Sequence, residues 1–189
     1  MAAPQAKSTK DLNGNWVMNK DLSDSSDPIL KVQGIGYLPR KGVGLATINL
    51  NIKQYEAVPI TSSSRAGKVT CIESTQTASG LKSTKEVRYL DNEFRDHHDW
   101  LFGMLKVQAR WIGPEDIDDP FLKEGFLVEG ERKNLVLSHA VSQGDGWTAT
   151  QVWGFQMVDD ERRYCMRVVV VSKDGQKAQA RFVYDYQQE

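Results

Sequence analysis

Gly14-Asn15-Trp16, on a short strand expected over Asn15 to Lys20, is followed by Ile29-Leu30-Lys31-Val32-Gln33-Gly34-Ile35-Gly36-Tyr37-Leu38-Pro39-Arg40-Lys41, and then by strand after strand to the end of the chain. The middle piece has a different period from the strands on either side of it. Asp27-Pro28 is a helix start, because proline's fixed φ suits a first turn, and Ile29, Leu30, Val32 and Ile35 then give one short apolar face. Gly34, Gly36 and Pro39 stop that helix from running on, so a broken helix or pair of helical turns is expected over Pro28 to Lys41. From Leu45 the period drops to two: Ala46, Ile48, Leu50 and Ile52 alternate with Thr47, Asn49, Asn51 and Lys53, the pattern of a half-buried strand.

The remaining strands are spaced by tight turns. Lys68 to Thr77 and Leu81 to Leu90 flank Ala78-Ser79-Gly80; Glu93 to Asp99 and Leu101 to Ile112 come next, before an acidic, proline-containing loop over Gly113 to Pro120. Phe121 to Glu131 and Leu135 to Ser142 are expected as strands around Arg132-Lys133-Asn134. Trp147 to Val158, Arg162 to Ser172 and Lys177 to Tyr186 complete the set, joined by Asp159-Asp160-Glu161 and Lys173-Asp174-Gly175-Gln176. Parallel crossovers need a dozen or more residues, so these connections demand an antiparallel, up-and-down order of about ten strands. No repeat or linker divides the chain, and the expectation is one domain over 12–189 behind a flexible leader over 1–11.

Composition narrows the function. The 189 residues carry 24 Lys+Arg against 25 Asp+Glu with no basic stripe, which argues against nucleic acid or an anionic membrane as partner. No apolar run approaches the roughly 20 residues of a membrane span, and Met1 to Lys10 has no signal-peptide core. The two cysteines, Cys71 and Cys165, both fall inside expected strands, which points to a cytoplasmic protein with buried thiols, a single bridge being the alternative.

Several stretches carry a family resemblance: Leu12-Asn13-Gly14-Asn15-Trp16-Val17-Met18-Asn19-Lys20, Gly146-Trp147-Thr148-Ala149 with Gln151-Val152-Trp153-Gly154-Phe155, Glu161-Arg162-Arg163-Tyr164, and Ala180-Arg181-Phe182-Val183-Tyr184-Asp185-Tyr186. With the Gly34-x-Gly36 lid, nearly the whole chain from Asp11 resembles a family of small fungal lipocalin-like (calycin) proteins. The resemblance implies an all-β, antiparallel up-and-down barrel with a helical lid after strand 1 and a cavity for one small ligand. It also implies secondary-metabolite chemistry: some members are hetero-Diels–Alderases of tropolonic sesquiterpenoid (meroterpenoid) biosynthesis. Those enzymes dehydrate a polyketide to a quinone methide and join it to a humulene-type sesquiterpene. The expected partners are therefore small hydrophobic polyketide and terpene ligands, with a non-catalytic carrier as the alternative reading. Oligomeric state, including a homodimer, is left open. By the same resemblance, Trp16 is expected to pack beneath Arg181.

Arg95-Asp96-His97-His98-Asp99 is the tempting metal motif. Neighbouring strand residues point to opposite faces, so His97 and His98 cannot both ligate one ion; Asp96 with His98, or His97 with Asp99, share a face. Completing either set would fall to His139, and no ligand spacing supports it, so neither metal nor cofactor is expected. Nucleophilic catalysis has no support, because no Gly-x-Ser-x-Gly elbow occurs and neither cysteine has a histidine partner in sequence.

The aromatic faces say more. Trp147, Ala149, Gln151, Trp153, Phe155 and Met157 alternate on one strand, Tyr164, Met166, Val168 and Val170 on the next, and Ala178, Ala180, Phe182, Tyr184 and Tyr186 on the last. Aromatics mixed with polar groups on inner faces call for a ligand-holding interior, since buried polar atoms need partners. We take Tyr37, Trp111, Gln151, Trp153, Phe155, Met166 and Tyr184 as candidate ligand contacts. Tyr55, Glu73, His98, Tyr164 and Arg167 are the candidate acid, base and carbonyl-donor residues.

Overall fold

The computed structural model describes residues 1–60, 67–130 and 133–188. Ten antiparallel strands form one sheet that curls into a nearly closed barrel: β1 (Gly14–Met18), β2 (Ile48–Ala57), β3 (Val69–Ala78), β4 (Thr84–Tyr89), β5 (Arg95–Asp99), β6 (Gly103–Ile112), β7 (Leu135–Ser142), β8 (Thr148–Val158), β9 (Glu161–Val171) and β10 (Lys177–Gln187). The order is β4-β3-β2-β1-β10-β9-β8-β7-β6-β5, so each strand pairs with its sequence neighbour except at two places. β1 joins β10, with Trp16 opposite Tyr186 and Met18 opposite Tyr184. Among the described residues β4 and β5 share no ladder, leaving a seam in the wall.

The lid consists of α1 (Asp27–Val32) and α2 (Tyr37–Leu45). Helix α1 sinks Ile29 and Leu30 into a cluster with Leu105, Trp147, Val168 and Ala180, plugging that end of the barrel. Helix α2 has no buried residue and keeps Leu38 and Leu45 exposed. It also runs to Leu45, where the two-residue period was expected to begin. Among the described residues no helix is long and apolar enough to cross a membrane.

The opposite end is closed by the Gly-x-Trp signature. Gly14 has φ +127°, and a Cβ there would lie 2.8 Å from the Tyr186 ring, so only glycine lets β10 approach this closely. Trp16 is fully buried, donates its Nε1–H to the Leu12 carbonyl at 2.9 Å, and meets the rings of Tyr186 and Tyr164 at 5.0 and 5.1 Å. Arg181 does not cover it; its backbone N–H and guanidinium instead donate to Asp24 and to the Leu22 carbonyl on the outside. The cations at this end are Arg162, 3.7 Å above the Phe155 ring, and Lys7, 5.8 Å from the Tyr186 centroid. Arg162 also holds the first residues, expected as a flexible leader, against the barrel: it donates to the carbonyls of Pro4 and Lys7, and its own carbonyl accepts from Ala3 N–H at 2.8 Å.

Phe121 to Glu131 is not a strand over its described part. Asp119 caps the short helix α3 (Pro120–Lys123) by accepting from the Phe121 and Leu122 N–H groups, and only Phe126 makes an isolated bridge, to Gln156. The segment crosses the outside of the barrel instead, where a Cβ on Gly154 would lie 2.8 Å from the Phe126 ring. Glu131 and Arg132 lie outside the described residues. Cys71 and Cys165 are both free and buried, and burial pushes the Cys165 thiol up to about 12.

Candidate functional site

Strand register decides which side chains enter the barrel. β8 and β9 pair Trp153 with Met166 and Phe155 with Tyr164; β9 and β10 pair Tyr164 with Tyr184 and Met166 with Phe182. These residues therefore share one inner wall with Trp16, Trp111 and Val136. Gln151 joins them, accepting from Trp153 Nε1–H at 2.9 Å. Six of the seven expected ligand contacts stand together in this way. Tyr37 does not, because it sits exposed on α2 beneath the Lys41 ammonium, 5.3 Å from its ring centroid.

The expected polar residues divide. Tyr164 lies on the inner wall, fully buried between the rings of Trp16, Phe155 and Tyr184, and its hydroxyl has no hydrogen-bond partner among the described residues. Burial holds its pKa well above the ordinary phenol range, so it remains a neutral O–H donor. The others face away from the interior. Tyr55 donates a short hydrogen bond to Glu73 on the outer face of β2 and β3, and Lys85 pairs with Glu73 at 2.9 Å. That hydrogen bond raises the Tyr55 pKa and lowers that of Glu73. His98 is exposed opposite Met104. Arg167 is buried on the outer face beneath α3, paired with Glu124 at 2.9 Å and stacked 4.7 Å from the Phe121 centroid.

The interior histidine is His97, one position from the one chosen. It stands near Glu86, its Nε2 3.8 Å from the carboxylate, and that nitrogen is buried without a hydrogen-bond partner. Glu86 pairs with Arg88 at 2.7 Å, and Arg88 Nε–H reaches the Ser138 hydroxyl at 3.3 Å. Asp99 accepts from the backbone N–H groups of Leu101 and Phe102 and closes the row. Donor atoms of Glu86, His97 and Asp99 lie within 4.8 Å of one another. Sequence reasoning missed this row because β4 inverts the usual pattern: Glu86 and Arg88 point in while Val87 is exposed. The usable signal was the matched i, i+2 spacing of Glu86/Arg88 and His97/Asp99 on adjacent strands.

Burial lowers the pKa of both His97 and His139 below the ordinary value of about 6.5. The folded state then binds fewer protons than the unfolded chain, so stability present above about pH 6.5 declines as pH falls through that value. Urea midpoints measured from pH 7 down to about 5 are expected to fall, and replacing both histidines by glutamine should flatten the slope in this window. Carboxylates held low by hydrogen bonds and paired cations, Asp11, Glu73, Asp91 and Asp119, add their losses at more acidic pH.

A ten-stranded meander, a helical lid after β1 and an aromatic interior carrying unsatisfied donors define a calycin-type barrel. Solved structures agree on the fold: the REP1-NXSQ fatty acid transporter (TM-score 0.54, 14% identity, 94% of this chain and 97% of that one) and the wild-type fluorescent protein UnaG (0.53, 14%, 93% and 97%). Fatty-acid-binding protein 1 of Echinococcus granulosus gives 0.53 at 12% identity, with 94% and 98% covered. The chain is 33% identical over 187 residues to probable pericyclase scpY of Mollisia scopiformis, covering 98% of this chain and 94% of the relative, and it belongs to that family. It is also 28% identical over 188 residues to pericyclase pydY of an Acremonium species, with 98% and 97% covered. No protein-family model matches the chain.

Proposed function

We propose that this protein is a pericyclase whose reaction takes place against the inner wall built by β8, β9 and β10. The observation that carries the reading is the Tyr164 hydroxyl: a neutral donor, fully buried among aromatic rings, with no hydrogen-bond partner among the described residues. Leaving such a donor unsatisfied costs about 1–3 kcal/mol, an arrangement that makes sense where a substrate oxygen supplies the missing acceptor. A cycloaddition needs little else. Holding diene and dienophile in reactive contact is worth on the order of 7–11 kcal/mol in the best intramolecular cases. A hydrogen bond to the carbonyl oxygen of a heterodiene adds electrostatic stabilisation as charge shifts onto that oxygen.

The finer reading follows the resemblance: a hetero-Diels–Alder coupling of a polyketide quinone methide with a humulene-type sesquiterpene. A hydroxymethyl phenol loses its phenolic proton and its side-chain hydroxide as water; the resulting quinone methide then forms one C–C and one C–O bond to the alkene and regains its aromatic ring. The two free thiols support the cytoplasm as the place where this occurs.

Because a quinone methide also reacts unaided, the enzyme's imprint should be stereochemical. Incubation with the hydroxylated polyketide precursor and humulene, followed by chiral analysis, is expected to give one enantiomer in excess and faster than background. A racemic adduct at the background rate, with ligand still bound, would favour a carrier instead.

A further inference from the structure

We propose that substrate enters through the unpaired seam between β4 and β5, and that Arg88 on its inner side holds a neutral carbonyl terminus of an otherwise apolar substrate. The inference rests on the pericyclase reading and adds to it a route and a substrate class.

Among the described residues the seam is spanned by side chains alone. Trp100 Nε1–H donates to the Thr84 hydroxyl at 3.2 Å, His97 lies 3.8 Å from Glu86, and Arg95 stacks 4.8 Å from the Tyr89 centroid. A cavity of about 620 Å³ opens here between Glu73, Lys85, Asp96 and Lys106, and its lining includes residues of both faces of the wall: Val87 and Phe94 outside, Arg88, His97, Val107 and Ala109 inside. A cavity bounded by both faces of a sheet passes through it. Its outer rim exposes Val87 (39%) and Phe94 (48%), apolar surface that a hydrophobic ligand would cover on arrival. The lid end, by contrast, is plugged by Ile29, Leu30 and Trp147. A second cavity of about 550 Å³, at the far end, has Tyr55 and Trp111 beside Lys10, Glu56 and Lys133 in its lining, and lies where β2 and β3 are fully paired.

Arg88 is 9% exposed and has committed donors to Ser138 and Glu86, leaving others of its five N–H groups for a ligand. Beside it stand two carboxylates, Glu86 and Asp99, and a histidine that burial keeps neutral. This row has no surplus positive charge, so a ligand carboxylate gains little from it, whereas a carbonyl oxygen gains a charged donor without adding a negative charge.

The test uses two polyene probes followed by tryptophan quenching: methyl retinoate, which ends in a neutral carbonyl, and axerophtene, its hydrocarbon counterpart. Arg88→Met is expected to weaken methyl retinoate about tenfold, as for loss of a charge-assisted hydrogen bond, while leaving axerophtene unchanged. Equal effects on both probes, or none, would overturn the carbonyl assignment. Access is read separately from association rates. Val87→Asp and Phe94→Asp, exposed positions where folding is preserved whatever Arg88→Met does, should slow axerophtene about tenfold, with Leu38→Asp on α2 as an unaffected control. Slowing by Leu38→Asp with unchanged rim variants would place the route under the lid and end the proposal. Should neither probe bind the wild-type protein, the proposal and the interior-site reading fall together. Stereoselective turnover with unaltered rim kinetics would remove the seam alone.

Discussion

Replacing Trp16 by alanine is expected to destabilise the protein by about 3–5 kcal/mol, the upper range for a large buried aromatic. The residue is fully buried, its ring meets those of Phe155, Tyr164 and Tyr186, and its indole N–H is satisfied by Leu12. Truncation would therefore open a cavity and orphan a carbonyl at the point where β1 closes against β10. Urea unfolding gives the value directly. Trp100→Ala is the control: at 38% exposed, with a single bond to Thr84, it should cost about 1 kcal/mol or less. Equal losses in the two variants would mean that the Gly-x-Trp element does not organise the closed end.

Tyr164→Phe should separate stability from function. The hydroxyl it removes is buried and unpartnered, so the unfolding midpoint is expected to stay level or rise. Activity in the chiral coupling assay is expected to fall by more than roughly tenfold, the lower range for losing one carbonyl-stabilising donor. A variant with unchanged rate and product ratio would take Tyr164 out of the site. Arg167→Met makes the contrast useful, because Arg167 lies outside the barrel bound to Glu124: its loss should lower stability without altering the product ratio.

The faces of β8, β9 and β10 were legible because each strand runs 11 residues, long enough for a period of two to declare itself. That is why Trp153, Phe155, Tyr164, Met166 and Tyr184 emerge on one wall. β5 has only 5 residues, all charged or histidine, so nothing in Arg95-Asp96-His97-His98-Asp99 says which set points in. The choice of His98 over His97 is the one-residue slip that such a strand invites. Arg167 is a different case: its alternation with Tyr164 put it outside, and only the covering segment, expected as a strand over Phe121 to Glu131, explains through Phe121 and Glu124 how an arginine can be buried there. The lid was legible from Pro28 and its glycines, but that α2 would leave Tyr37 in solvent was not.

The seam also sets the order in which this barrel can be assembled. Its circumference is joined at Trp16 and Tyr186, residues from opposite ends of the chain, and left open between strands that are consecutive in sequence. Loop-closure entropy makes the distant junction the slowest contact to gain, whereas the gap lies where the polypeptide already brings its neighbours together. The molecule thus places its most non-local pairing at the closed junction and leaves its most local one unmade.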